Sequence, residues 1–255
     1  MSTRNFVYTD ISAITVRGLG SGRLSVRQSA DGGIAGSVTS CDENLLDRVG
    51  LDESDGRLRI DFPHQLFANV DATVELEVPE GIAFEASTGS ADVQAEVALG
   101  ATRITTGSGD VALDAVGDVQ VTTGSGDVSI SAITGTAGQV NSGSGDISIG
   151  ANEAALQAKS ASGDLSVGQL TGALRANTAS GDINVGRTTG SIESRSASGD
   201  INVAVADSLP AWLELSSVSG EVMIGLDATN QPEEGEAYVS IRANTASGDI
   251  SISRA

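Results

Sequence analysis

This sequence has little that lends itself to catalysis. It holds one histidine, His64, and one cysteine, Cys41. A lone cysteine excludes an intramolecular disulfide, and His64, in "FPHQLF", reads as a partly buried structural residue. Aromatic residues make up 3% of the chain and only 4 prolines occur. A core without aromatic bulk must be built from Val, Ile, Leu and Ala, which suits thin, closely stacked layers better than a thick sandwich. Cations are scarce: 14 Lys and Arg stand against 34 Asp and Glu, a formal charge of −20. Nucleic-acid affinity rests on Lys and Arg displacing counterions, so a phosphate-binding surface is excluded as a leading role. Anionic membrane surfaces are disfavoured for the same reason. No apolar run is long enough to span a bilayer. The opening "MSTRNFVYTDISAITVRG" lacks a basic stretch followed by an apolar one. The resulting expectation is a cytoplasmic protein, with envelope association as the alternative.

Glycine is abundant, at 32 residues, and so is one short word. "TASGDINV" at Thr178–Val185 returns as "TASGDISI" at Thr245–Ile252, with "SGSGDISI", "SASGDLSV", "SASGDINV" and two copies of "TGSGDV" before the last. Its acidic residue falls at Asp92, Asp110, Asp127, Asp146, Asp164, Asp182, Asp200, Glu221 and Asp249. The steps are 18, 17, 19, 18, 18, 18, 21 and 28 residues. A period held this closely marks a repeat architecture.

Each column of the repeat has a physical reading. One residue after the acid stands Val93, Val111, Val128, Ile147, Leu165, Ile183, Ile201, Val222 or Ile250, and a second apolar residue follows two positions on. Alternation of period two predicts a strand with one buried face. A second strand precedes the word. Six residues before the acid come Ile104, Val121, Val140, Ala158, Ala176, Leu215 and Ala243, with Ser194 as the exception. Ser or Thr stands four before it, from Thr106 to Thr245. The buried parity changes at the Gly-Asp step, which predicts a turn there and a glycine free to take positive φ. About 18 residues per unit leave no room for a crossover helix. One unit cannot bury its own face, so units must stack at about 4.8 Å per rung. The expected fold is all-β: a single-stranded parallel β-helix or β-solenoid of about 18-residue rungs, right-handed by the rule for parallel crossovers.

The chain reads as one domain, 1–255, with residues 1–85 as an irregular N-terminal strand segment and 86–255 as the regular solenoid. "GLGSGRLSV" at Gly18–Val26 and "SDGRLRI" at Ser54–Ile60 read as decayed rungs with Arg where the acid would stand. "CDENLLDRVG" at Cys41–Gly50 is the one helix-like piece. "DATNQPEEGEA" at Asp227–Ala237 reads as a surface loop, and Trp212 as an anchor for that end of the core. The last word, ending in "SISRA", is expected to form the final rung and to leave an edge able to pair with another chain.

"VELEVPEGIAFEASTGSADVQA", followed by recurrent "TGSGDV" and "SASGDI", resembles the bacterial "putative adhesin" β-strand-repeat family, a domain family of unknown function. The Leu76–Gly81 entry "LEVPEG" and the repeated Ser-Gly-Asp word carry the resemblance, from about Val74 to Ile252. The resemblance implies a β-repeat fold and, for some members, an envelope role.

The acids form the main candidate site. Stacked carboxylates about 5 Å apart repel by roughly 1 kcal/mol per pair in water. Either turn N–H groups relieve the repulsion, or a row of Ca²⁺ ions does. The metal candidates are Asp110, Asp127, Asp146, Asp164, Asp182 and Asp200. Their spacing departs from the Ca²⁺ β-roll, in which Gly and Asp recur every nine residues, so the structural role is preferred. The Ser/Thr columns read as hydroxyls bonded within the corner. "SGSGD" lacks the Lys and helix of a phosphate loop. The leading expectation is a non-enzymatic adhesin-like scaffold that binds a protein or itself. The alternatives are an exported or surface adhesin that binds a glycan or protein, and a Ca²⁺-dependent or end-to-end filament. A uronate-active enzyme would need a basic groove, for which Arg175, Arg187 and Arg195 are the nearest material.

Overall fold

The computed structural model describes residues 1–63, 71–207, 209–227 and 237–255. Among these residues there are 25 strands and one short helix. The chain is a β-solenoid. Each regular rung has two strands: a lead strand that ends in Ser or Thr, and a word strand that begins just after the acid. Thr102–Thr106 and Val111–Val116 are one such pair, joined by the corner at 107–110. Lead strands pair with lead strands and word strands with word strands, in parallel and in register. Thr102 stands opposite Val119, for example, and Val111 opposite Val93.

The chain divides into two compact units, Met1–Ile130 and Ser131–Ala255. In the C-terminal unit the lead strands stack as Ala137–Ser142, Ala155–Ser160, Leu174–Thr178, Ile192–Ser196, Val239–Thr245 and Ala211–Ser217. The word strands stack as Ile147–Asn152, Leu165–Leu170, Ile183–Thr188, Ile201–Val205, Ile250–Arg254 and Val222–Ile224. The last two rungs are therefore out of chain order. The C-terminal word does not form the end rung. It inserts between the rungs of Asp200 and Glu221, so that Ile250 pairs with both Ile201 and Val222. This explains the long steps of 21 and 28 residues: the chain skips one rung position and returns to fill it. The inserted strand gains two ladders where a terminal one would gain a single ladder. Its apolar residues Ile250 and Ile252 are fully buried.

The N-terminal unit shows the same inversion. The Ala13–Leu19 and Ser21–Gln28 strands lie between the rung of Arg57–Asp61 and Asp71–Val78 and the rung of Ala83–Thr88 and Asp92–Glu96. Arg23 pairs with Asp92, so the strand at Gly18–Val26 does carry Arg at the acid column. The strand at Ser54–Ile60 does not. Leu58 aligns with Ile14 and through it with Phe84, which makes Arg57–Asp61 a lead strand. Antiparallel strands close this unit: Ser2–Tyr8 and Ile34–Ser40 beyond Asp71–Val78, and Gly50–Ser54 beyond Arg57–Asp61. The helix Glu43–Arg48 falls in the segment read as helical. Asp42 Oδ1 caps it by accepting from the Asn44 N–H at 3.0 Å. Its Leu45 and Leu46 are buried, and Arg4 donates to the Leu46 and Val49 carbonyls at 3.1 and 2.8 Å.

The core is the set of columns anticipated from period two. Ile104, Val121, Val140, Ala158, Ala176 and Ala243 are buried, as are Val111, Val128, Ile147, Leu165, Ile183 and Ile201. Fully burying a Val, Leu or Ile contributes about 1.5–3 kcal/mol. Trp212 does not anchor the core. It shares outward parity with Glu214 on the alternating strand Ala211–Ser217 and is exposed. His64 lies outside the described residues, as does 228–236 of the segment read as a loop.

The glycine column is needed for a different reason from positive φ. Among the described residues, the glycines with positive φ are Gly18, Gly22, Gly32, Gly56 and Gly81, and none belongs to a Ser-Gly-Asp word. A Cβ at Gly109 would overlap the Ala91 carbonyl oxygen, and a Cβ at Gly181 would overlap that of Gly163. The backbones of successive corners touch, and only a hydrogen fits between them.

Candidate functional site

The corner uses its polar groups internally. The Thr106 hydroxyl accepts from the Gly109 N–H at 3.1 Å. Thr123, Ser142, Ser160, Thr178, Ser196 and Ser217 do the same for the glycine three residues on, at 2.7–3.0 Å. A local side-chain acceptor of this kind closes a turn without a backbone partner.

The acids form a ladder between rungs. The Asp110 N–H donates to Asp92 Oδ1 at 3.1 Å, and the Asp127 N–H to Asp110 Oδ1 at 2.9 Å. In the C-terminal unit the N–H groups of Asp164, Asp182 and Asp200 each donate at 2.8 Å to Oδ1 of Asp146, Asp164 and Asp182. The series continues in the inverted order: the Asp249 N–H to Asp200 at 2.7 Å, then the Glu221 N–H to Asp249 at 2.8 Å. Each bond is charge-assisted, and the positive end of one N–H dipole offsets the repulsion between neighbouring carboxylates. Turn N–H groups thus meet the carboxylates, the first of the two arrangements weighed from sequence. Among the described residues, no three His, Cys, Asp or Glu side chains converge as a metal-binding group.

The outward face of the lead strands in the C-terminal unit carries a second pattern. One column reads Asn141, Lys159, Asn177, Arg195, Asn244 in register. The column two residues earlier reads Gln139, Gln157, Arg175, Glu193, Arg242, Glu214. Four successive lead strands therefore present one cation each, alternating between two columns: Lys159, Arg175, Arg195 and Arg242. These are four of the chain's 14 cations, set against two acids on the same columns. Glu193 bridges two of them. Arg175 Nη2 lies 2.7 Å from Glu193 Oε2, and Arg195 Nη2 lies 2.6 Å from Oε1. Arg242 holds Glu214 through Nε at 2.9 Å and Nη2 at 2.7 Å. The hydrogen bond from Arg175 holds the Glu193 carboxyl below its usual pKa, with the charges of Arg175, Arg195 and Arg242 adding to it. A shallow groove of about 430 Å³ crosses this face, lined among others by Ala155, Ala173, Arg175, Glu193, Trp212 and Arg242.

Of the three arginines read as a possible basic cluster, Arg175 and Arg195 meet at Glu193. Arg187 belongs to the word strand Ile183–Thr188, in the other sheet. Arg242 and Trp212 were missed as members of this face. Fixed offsets of five and seven residues before the acid carry the two columns, but they hold outward positions that hydrophobic periodicity does not mark. The contact of Arg242 with this group depends on the inserted rung.

A family model described as Toastrack DUF4097 matches residues 11–253. The chain belongs to this family. No curated protein matches the sequence. Among solved structures, the Toastrack chain is similar to a "putative adhesin" from Bacteroides fragilis, at 17% identity and TM-score 0.47, covering 98% of this chain and 96% of that one. It is similar to a "putative lipid binding protein" from Parabacteroides distasonis, at 19% identity and TM-score 0.48, with coverage of 98% and 96%. A "putative adhesin" from Parabacteroides merdae matches at 18% identity and TM-score 0.42, covering 80% of this chain and 92% of that one.

Proposed function

We propose that this Toastrack protein is a non-enzymatic interaction scaffold, and that the outward lead-strand face of its C-terminal unit is the recognition surface. The single observation that carries this reading is the row of one cation per rung at Lys159, Arg175, Arg195 and Arg242 in a chain of charge −20. The Ser or Thr three residues before each glycine and the acids of the repeated word are engaged in holding corners together. A flat, in-register face with cations at rung spacing favours an extended acidic partner, such as an acidic strand or tail of another protein.

The test is affinity capture from native cells with the wild type and with Arg175→Glu/Arg242→Glu in parallel. A protein held by the wild type and lost from the variant supports the reading. Binding of an anionic glycan instead, together with surface exposure on cell fractionation, would favour the exported-adhesin alternative over a cytoplasmic scaffold. Equal recovery of every partner by both proteins would overturn the assignment of this face.

A further inference from the structure

The groove on the lead-strand face of the C-terminal unit lies along two neighbouring outward columns. Ala155, Ala173, Ser191, Ser240 and Trp212 each stand one residue before the paired inward residues Leu156, Leu174, Ile192, Ile241 and Leu213. They therefore share outward parity and follow one another rung by rung. Two residues further along each strand runs the polar column that holds Arg175, Glu193, Arg242 and Glu214. Short side chains beside long ones leave a channel across the strands, and Trp212 stands on the last lead strand of the series. The lining is electrically neutral: its ionisable residues are two arginines, Arg175 and Arg242, and two glutamates, Glu193 and Glu214. Lys159 and Arg195, the other two cations of the row, do not line it. Each lining arginine is locked on a glutamate through Nε and Nη2. A guanidinium has five N–H donors and a carboxylate several lone pairs, so both partners keep hydrogen-bonding capacity in a fixed plane. Trp212 is the chain's only tryptophan and is 50% exposed.

We infer that this groove binds a neutral oligosaccharide laid across the rungs, with one sugar ring stacked on Trp212 and hydroxyls of its neighbours bonded to the Arg175–Glu193 and Arg242–Glu214 pairs. A pyranose ring has both kinds of surface that this lining offers to meet. Its C–H groups form an apolar face that stacks on an indole. Its adjacent hydroxyls lie close enough for a planar guanidinium or carboxylate to take two at once. The five lead strands span about 19 Å, and a ring linked through opposite corners advances a chain by about one rung spacing, so about four or five rings fill the groove. A lining without net charge gives an ion of either sign no advantage. Inside the groove the two glutamates cancel what an acidic peptide would gain from the two arginines. The site shares a face with the acidic-partner surface proposed above and does not rest on it, because the excess charge at Lys159 and Arg195 lies outside the groove.

A single tryptophan makes fluorescence a direct reader of this groove. The experiment titrates the full chain with cellohexaose, xylohexaose, mannohexaose and N-acetylchitohexaose, and with polyglutamate as the acidic control, at about 0.1 and 1 M salt. The expected result is a saturable change in tryptophan emission with at least one hexasaccharide at about 1 mM or below. It should be the same at both salt concentrations, because the ligand is uncharged. By calorimetry, Trp212→Ala should weaken that binding at least about tenfold, while circular dichroism stays that of the wild type because the indole is exposed. Glu214→Ala should weaken it as well, and Lys159→Ala should leave it unchanged. Trp212→Ala keeps all four cations of the row, so capture of an acidic protein partner should survive it, and the two readings can fail separately. No saturable response to any of the four sugars, or sugar binding undiminished in Trp212→Ala, would overturn the inference. A response to polyglutamate alone that is lost at high salt would also overturn it and give the groove to the acidic partner.

Discussion

At the scale of single residues, the repeat is governed by what fits between two backbones 4.8 Å apart. Gly181 shows this most directly. Its place is set by the Gly163 carbonyl, which leaves no volume for a methyl group. Gly181→Ala should lower stability by about 1–3 kcal/mol, the usual cost of overpacking, as read from urea unfolding. Ser194 is the opposite case. It stands in a column with Ala176 and Ala243, is 0% exposed, and its hydroxyl has no hydrogen-bond partner among the described residues. An unsatisfied buried hydroxyl costs on the order of 1–3 kcal/mol. Ser194→Ala should therefore raise the unfolding midpoint, and a fall would show that the hydroxyl is satisfied. Both effects follow from column membership, and column membership was legible in the sequence. The reason glycine is needed was not, because periodicity locates a turn without showing how close the next backbone comes.

At the scale of the element, the unit is the corner with its Ser/Thr clasp and its acid. Asparagine at the acid position keeps an oxygen that can accept the N–H of the next rung, and it removes the charge. Asp164→Asn/Asp182→Asn/Asp200→Asn should therefore melt no lower than the wild type in EDTA. Asp182→Ala should lose about 1 kcal/mol through the missing acceptor, a value at the low end because the site faces water. A wild type that loses stability in EDTA, together with a triple asparagine variant that melts well below it and does not respond to Ca²⁺, would point to a metal row instead. The outward columns make a separate claim about pH. Arg175 stabilises the ionised form of Glu193, so the folded pKa lies below the ordinary value of 4.5. The stabilisation is complete above that value and is lost as pH falls through the lowered pKa. Glu193→Gln should flatten that acid limb of the stability curve while leaving the neutral limb parallel to the wild type.

At the scale of the whole chain, charge and metal dependence are the accessible readouts. A carboxylate ladder held by N–H donors predicts the same melting temperature with EDTA and with millimolar Ca²⁺. A rise of several degrees with Ca²⁺ alone would require bound ions, because a ligand that binds only the folded state stabilises it by mass action. Raising the ionic strength should raise the melting temperature in either case, since a net charge of −20 disfavours the compact state until it is screened.

The solenoid class, the 18-residue period, the two strands of each rung and most of the buried columns can be read from the residues alone. These rest on local alternation and a constant period, which any rung reports on its own. The one helix-like piece of the sequence, Cys41–Gly50, holds the helix Glu43–Arg48. The order of the rungs emerges only in the folded chain. Chain order and spatial order differ at Ala13–Gln28 and again at Val239–Arg254, because every rung carries nearly the same ladder and any one can stack on any other. Repetition makes the local structure easy to read, and for the same reason it cannot specify which copy lies next to which. The meeting of Arg242 with Glu214, the open end at Val222–Ile224, and the identity of the last rung all depend on that choice.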